Sequence, residues 1–593
     1  MNDFRLVRKS AMTVALLAGA ATATLMGSST PGAAGTAICE SLSGLSLPQT
    51  TITAAQSIPA GTFTAADGEV FTNLPAFCRI AATLSPSVDS SIRIELWMPV
   101  TGWNGRFEGT GNGGYAGTIA YPPMADGVQR GNAVANTDMG TAPSTVLNGD
   151  PLIGHPEKWI DFGYRATHEM TVRSKQIVEA FYGGNPKFSY FSGCSTGGQQ
   201  ALSEAQRFPH DYDGIVAGAS AYNRTHLHTA VVWDFLAARK TAHSLVPQSK
   251  LAVLNQAIVA ACNTQDGGVS TDNWLIDPRD CKFDPAQLQC KGADAATCLT
   301  ADQVSTMRAI YGGPRNPRTN DRIYPGLGPR GSEGIGITAL LEAGGFPLPT
   351  DALFDSLFKW VFGALWVPEN FNFDSDMARV DEVLRPILNA TNPDLSAFRQ
   401  RHGKLIMFHG FADGLLAPQD SINYYSEVVA QQNGNGNGNG NKVKAITVSA
   451  NSNGQGTRAS GDDAVDVLDP DALHETQKFA RLFMAPGMSH CGGGPGANVF
   501  NGDDNLGGPR DSDHDVLSAL VRWVEQGDAP DRIIATKFVN DKPAAGVAFT
   551  RPLCPYPQLP AYRGTGDTND AASFVCRADE PDFNQVPAPE YRR

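Results

Sequence analysis

Ser195 stands in Gly193-Cys194-Ser195-Thr196-Gly197, a GxSxG spacing. A serine hydroxyl is a weak nucleophile until a base takes its proton, and flanking glycines let the backbone turn sharply enough to present it. Such short Gly/Ser patterns also occur as plain strand-to-helix turns. Two other positions have complementary chemistry. Asp413 ends Phe408-His409-Gly410-Phe411-Ala412-Asp413, just past an apolar run, where an acid can hold a histidine in one tautomer. His490 lies in Met488-Ser489-His490-Cys491, after the apolar run Arg481–Met484. Taken singly, Asp413 reads as readily as a capping or surface acid, and His490 and His409 as structural histidines. Together, Ser195, Asp413 and His490 supply the nucleophile, orienting carboxylate and general base of acyl transfer.

The cysteines bear on whether these residues meet. Cys194 precedes Ser195 and Cys491 follows His490. If the serine and histidine meet, their neighbours come within disulfide reach, since bridged Cα atoms lie roughly 4.4–6.8 Å apart. Two buried thiols are the alternative. The chain has 10 cysteines, an even number that suggests disulfides in an exported protein. Nearest-neighbour pairing gives Cys39–Cys78, Cys262–Cys281, Cys290–Cys298 and Cys554–Cys576, leaving Cys194 and Cys491. The sequence alone leaves the connectivity open. No CxxC or Cys/His spacing of a zinc site is present.

The elements that must position these residues follow from periodicity. Residues 40–105 contain alternating runs such as Ile92–Met98 and read as antiparallel strands. From 106 to 220, strands alternate with helices: a helix over Tyr164–Tyr182 ended by Gly183-Gly184, a strand over Phe188–Phe191, a helix over Gln199–Phe208 and a strand over Gly214–Ala217. That alternation predicts a parallel α/β sheet. Residues 222–400 lose the rhythm. It resumes with a strand at Lys404–Phe408, a helix at Gln419–Gln431, a strand at Arg481–Met484 and an amphipathic helix at Asp513–Glu525. Asn433–Asn441 alternates Asn and Gly and reads as a loop. The expected organisation is residues 1–37 as a signal peptide, 38–221 as the first part of a core, 222–400 as an inserted lid and 401–593 as the second part.

Composition narrows the partners. The chain has 593 residues, 41% hydrophobic and 18% charged, enough apolar content for a large core. A net charge of −14 argues against nucleic acid and anionic membranes as main partners. At the N-terminus, Arg5, Arg8 and Lys9 precede the apolar stretch Ala11–Met26 and then small residues, the layout of an export signal. A membrane anchor is the other reading, and the run is short and Ala/Thr-rich for a span. The expectation is a secreted or periplasmic protein, free of the membrane once the signal is removed.

With these residues in view, the chain resembles the tannase/feruloyl esterase family. Its Cys-Ser, Asp and His-Cys set is matched by Cys194-Ser195, Asp413 and His490-Cys491. Trp103-Asn104-Gly105-Arg106-Phe107, Gly111-Asn112-Gly113-Gly114-Tyr115, Gly163–His168 and Arg551–Pro557 look like further family segments. The Ser…Asp…His order is also that of α/β-hydrolases. The resemblance implies an α/β-hydrolase core with a lid inserted between core strands. It implies hydrolysis of aromatic esters, with feruloyl-type esters first, and galloyl esters or mono(2-hydroxyethyl) terephthalate as alternatives. The small aromatic ester would be of plant origin in the feruloyl case. It implies an oxyanion hole from the Thr196 N–H and Gly113 or Gly114, and pocket positions at Leu415 and Leu416. Trp360 and Trp366, late in the lid, would clamp an aromatic group or form lid core. It also implies a structural calcium ion held by the loop after Cys262, at Asn263, Asp266, Gly268, Asp272 and Trp274. Here the chain departs from the family pattern, with Asn263 in place of an Asp and a longer spacing before Asp272. A non-catalytic binding protein and a secreted peptidase are the competing classes.

Overall fold

The computed structural model describes residues 38–263, 268–338, 341, 355–432, 449–450, 456–457, 468–501 and 507–578. The expected signal segment 1–37, Asp266 and the Asn/Gly run 433–441 lie outside the described residues.

Nine strands form one sheet: β1 (Thr50–Ile58), β2 (Phe77–Leu84), β3 (Ile92–Pro99), β4 (Arg106–Thr110), β5 (Ala133–Thr137), β6 (Phe188–Cys194), β7 (Gly214–Gly218), β8 (Lys404–Gly410) and β9 (Ala480–Ala485). Their spatial order is β1-β2-β3-β5-β4-β6-β7-β8-β9. The pairs from β1 to β5 are antiparallel. From β5 onward every neighbouring pair is parallel. The sequence dictates this division. β2 alternates between buried and partly exposed residues, as an edge-side antiparallel strand does. Central strands such as Gly214–Gly218 are buried throughout, which needs helices on both faces.

The strands run longer than their apolar cores predict. β6 continues from Phe191 to Cys194, and β8 from Phe408 to Gly410. The extra residues are short or polar, but a parallel neighbour supplies their backbone ladder: Gly193 pairs with Ala217 and Cys194 with Gly218. The helix expected from Gln199 starts at Thr196 and runs to Arg207. Glycine is a poor helix former, yet Gly198 belongs here because a Cβ on it would lie 2.4 Å from the Gly218 carbonyl oxygen.

Residues 219–403 separate β7 from β8 and contribute no strand to the sheet among the described residues. The first part carries the helices Arg224–Ala238, Gln248–Cys262 and Ala301–Gly312. They share a second apolar core that includes Leu254, Ile258, Val304 and Met307. The helix Ser375–Leu388 instead packs Val380, Leu384 and Leu388 into the main core. In packing, the tail of the expected lid therefore belongs to the sheet's own layer. All five disulfides follow the nearest-neighbour scheme plus Cys194–Cys491. Among the described residues no helix is long and apolar enough to cross a membrane.

Three glycines let β4 and β6 deliver their C-terminal ends to one place. A Cβ on Gly111 would lie 2.5 Å from Gly197 Cα and 2.9 Å from Gly193 Cα. Gly111→Ala is expected to destabilise the fold by about 1–3 kcal/mol through overpacking, measured by denaturant unfolding. Gly113→Ala, whose added Cβ meets nothing within 4 Å, should leave unfolding unchanged.

Candidate active site

β6 ends at Cys194, and the next residue turns the chain into the helix Thr196–Arg207. Ser195 sits at that turn with φ 64° and ψ −119°, a conformation that non-glycine residues rarely adopt. Neighbouring backbone fixes it there. Ser195 N–H donates to Gly218 O at 3.0 Å, and Ala221 N–H donates to Ser195 O at 3.0 Å. The turn thus holds the side chain at the C-terminal edge of the parallel strands.

Asp413 follows β8 and is fully buried. Its two oxygens are divided. Oδ1 accepts the backbone N–H groups of Leu415 at 2.8 Å and Leu416 at 3.0 Å. Oδ2 lies 2.7 Å from His490 Nδ1 and 3.1 Å from His409 Nε2. Burial works to raise the Asp413 carboxyl, but the facing His490 and His409 outweigh it and hold it well below the usual carboxylate range. His409 is itself anchored, with Nδ1 2.8 Å from Ser421 Oγ. An acid held this way keeps the His490 ring oriented, with its Nε2 side directed away from the acid.

Cys194 and Cys491 are bonded, with Cα atoms 5.9 Å apart. Ser195 and His490 therefore have covalently joined neighbours, and both line one cavity of about 380 Å³. Gly113, Gly114 and Thr196 line it too. Thr196 Oγ1 donates to Gly114 O at 2.7 Å, which fastens the glycine segment to the start of the helix. Among the described residues, the backbone N–H groups of Thr196, Gly113 and Gly114 engage no acceptor. Leu415 and Leu416 form part of the apolar wall.

The structure brings further residues to the cavity that the sequence did not single out as site residues: Asn112, Val146, Arg224, Leu227, His228 and Val231. Arg224 begins a helix that is buried on almost every side, so no 3.6-residue period marks which face meets the cavity. Asn112 lies inside a recognised glycine segment, where its burial was not visible.

Trp360 and Trp366 take the core reading of the two that the sequence left open. Trp360 and Trp366 do not line the cavity. Trp360 Nε1 donates to Gly149 O at 2.9 Å, and its ring stacks on Trp159 at 5.8 Å. Trp366 stacks on Phe358 at 4.7 Å. The helix Ser356–Phe362 turns its apolar face to Tyr115 and Phe162 in the main core, away from the cavity. The expected calcium set is described only in part, since Asp266 lies outside the described residues. Asp272 gives its oxygens to Arg551 Nη2 at 2.9 and 3.2 Å, so its charge is already balanced. Asn263 Nδ2 donates toward the carbonyls of Ser270 (3.4 Å) and Asp272 (3.1 Å). Trp274 stacks on Phe549 at 5.0 Å, and Gly268 is partly buried beside the undescribed residues.

Two outcomes follow from this packing. Arg551→Leu should cost about 3–5 kcal/mol, because it strands a buried carboxylate. A thermal midpoint lowered by EDTA and restored by calcium would show that the loop after Cys262 holds the ion. Replacing Cys194 and Cys491 together by Ser should lower turnover about 100-fold, the scale of an ångström-sized misplacement of reacting groups. Steady-state kinetics on the folded variant checks this.

Comparison with known proteins agrees with the fold. Residues 78–577 match the family described as tannase and feruloyl esterase. An uncharacterised esterase of Xanthomonas campestris pv. campestris is 39% identical over 568 residues, covering 93% of this chain and 92% of that protein. A probable feruloyl esterase B-2 of Aspergillus terreus is 30% identical, covering 89% of this chain and 93% of that protein. The crystal structure of feruloyl esterase B from Aspergillus oryzae superposes with a TM-score of 0.77 at 27% identity, covering 91% of this chain and 99% of that one. The tannin acyl hydrolase of Aspergillus niger shares the fold, with a TM-score of 0.67 at 20% identity and coverage of 91% and 93%. This chain belongs to the tannase and feruloyl esterase family of carboxylic ester hydrolases.

Proposed function

We propose that the protein is an exported serine esterase that cleaves esters of aromatic, feruloyl-type acids through an acyl-enzyme. The observation that carries this reading is the Asp413–His490 contact of 2.7 Å beside a Ser195 held at a strained turn in the same cavity. His490 takes the Ser195 proton as Oγ attacks the ester carbonyl. Asp413 orients the ring and stabilises the imidazolium that forms. The oxyanion is met by the Thr196 N–H and by a glycine N–H at Gly113 or Gly114, each such donor being worth about 10²–10³ in rate. His490 returns the proton to the leaving alcohol. Water then attacks the acyl-enzyme by the same route and frees the acid.

The acyl preference rests on the relatives named feruloyl esterases and on the largely aliphatic cavity wall. Export is supported by the basic-then-apolar N-terminus and by five disulfides, which persist in oxidising compartments.

The test is a panel of methyl ferulate, methyl gallate, chlorogenate, mono(2-hydroxyethyl) terephthalate and p-nitrophenyl acetate. Ser195→Ala should abolish turnover while circular dichroism stays unchanged, and Asp413→Asn should lower kcat by about 10³–10⁴. Turnover retained by folded Ser195→Ala would remove the serine mechanism. Failure of a fluorophosphonate probe to label Ser195 in folded protein would favour a binding protein on this scaffold.

A further inference from the structure

The proposed chemistry leaves one charged group in the cavity without a task. Arg224 is 2% exposed and contributes to the cavity wall. Its Nε donates to Gln199 Oε1 at 2.7 Å and its Nη2 to Thr196 Oγ1 at 2.7 Å. Both acceptors are neutral. The guanidinium also lies 5.0 Å from the centre of the Phe162 ring. No Asp or Glu lines the cavity, and no carboxylate among the described residues pairs with Arg224. Burial pushes its pKa down to about 10, so it is still a cation at neutral pH.

A buried guanidinium without a counter-charge is costly, and arginines this deep are ordinarily paired. A role confined to holding Thr196 and Gln199 would need two donors and no charge. A guanidinium has more N–H groups than these two bonds engage, and it is the side chain best shaped to meet a carboxylate with two parallel bonds. Its setting also favours an anion. Arg224 is the first residue of the 15-residue helix Arg224–Ala238, whose N-terminal end carries partial positive charge. Further along the same helix, Leu227 and Val231 line the cavity at i+3 and i+7, and Leu415 and Leu416 complete its aliphatic wall. The helix therefore presents a cation and then an aliphatic surface to the same space.

We propose that Arg224 is an anion subsite, and that the preferred substrate is an aromatic ester with a second, ionised carboxylate in the half that enters the cavity. The ring would lie against the aliphatic wall, and the carboxylate would supply the missing counter-charge at the guanidinium. This assignment rests on the serine-esterase reading above and names its substrate class.

Matched pairs test it. Monomethyl terephthalate against dimethyl terephthalate places the acid in the acyl half, and chlorogenate against its methyl ester places it in the alcohol half. The unmodified enzyme should favour the anionic member of one pair in kcat/KM. Arg224→Gln should cut that anionic-to-neutral ratio by about 10- to 100-fold, the scale of a charge-assisted hydrogen bond, mainly through KM. Arg224→Lys should recover part of it. Methyl ferulate serves as the neutral reference for esterase activity itself. Loss of anionic and neutral turnover in equal proportion would make Arg224 a support for Thr196 and overturn the subsite. Preference of the unmodified enzyme for the neutral member of both pairs would overturn it as well. Should Arg224→Gln fail to fold, inhibition of the unmodified enzyme by terephthalate is compared with inhibition by terephthalamide. Stronger inhibition by the dianion supports the subsite, and equal inhibition removes it. If no ester is turned over, the esterase reading fails instead. Calorimetric binding of terephthalate to folded Ser195→Ala protein then still decides the role of Arg224.

Discussion

Ser195 and Cys491 both adopt backbone conformations with positive φ that side-chain-bearing residues avoid, and the Cys194–Cys491 bond fastens these two turns to each other. Each such conformation costs about 1–3 kcal/mol and persists only where the surroundings over-determine it. Here the surroundings come from two distant parts of the chain. Hydrogen bonds to Gly218 and Ala221 hold the serine turn from the sheet side. The disulfide, spanning 297 positions, holds it from the histidine loop. Ser195 and His490 are thus fixed relative to one another by a covalent link between their neighbours.

Asp413 plays the corresponding part for the base. Full burial would disfavour its charge, yet four groups address its two oxygens: two backbone N–H donors and two histidines. Leu415 and Leu416 therefore act twice, orienting the acid through their backbone and lining the cavity with their side chains. His409, which reads as an unremarkable residue near a strand end, becomes a second partner of the acid once β8 and the following turn fold around it. The Ser421 contact extends this buried polar chain onto the next helix.

The inserted segment supplies part of the cavity wall, while the sheet's strand ends carry Ser195, Asp413 and His490. The glycine segment 111–114, Ser195, Asp413 and His490 follow the ends of β4, β6, β8 and β9. Arg224, Leu227, His228 and Val231 all come from the first helix after β7. That helix joins both cores, since Leu227 and Val231 pack into the second core and Val232 into the main one.

By itself, the sequence determined which residue types are candidates for chemistry, their order along the chain, and the alternation of strand and helix around Ser195. These features are local, because a turn, a cap or an apolar run is written in adjacent residues. The pairing of Cys194 with Cys491 was also legible, since each stands next to a candidate reactive residue. Only the tertiary structure decided what lies between those residues. Periodicity reports that a face is buried, but not against what. Trp360 and Trp366 accordingly read equally as a substrate clamp or as core, and the fold packs them in the main core. Asp272 sits in the loop expected to hold calcium, and only the fold sets Arg551, 279 positions away, beside it. Arg224 gave no signal, because the helix that carries it is buried nearly all round, and only the packing of that helix beside Thr196 brings its charge to the cavity.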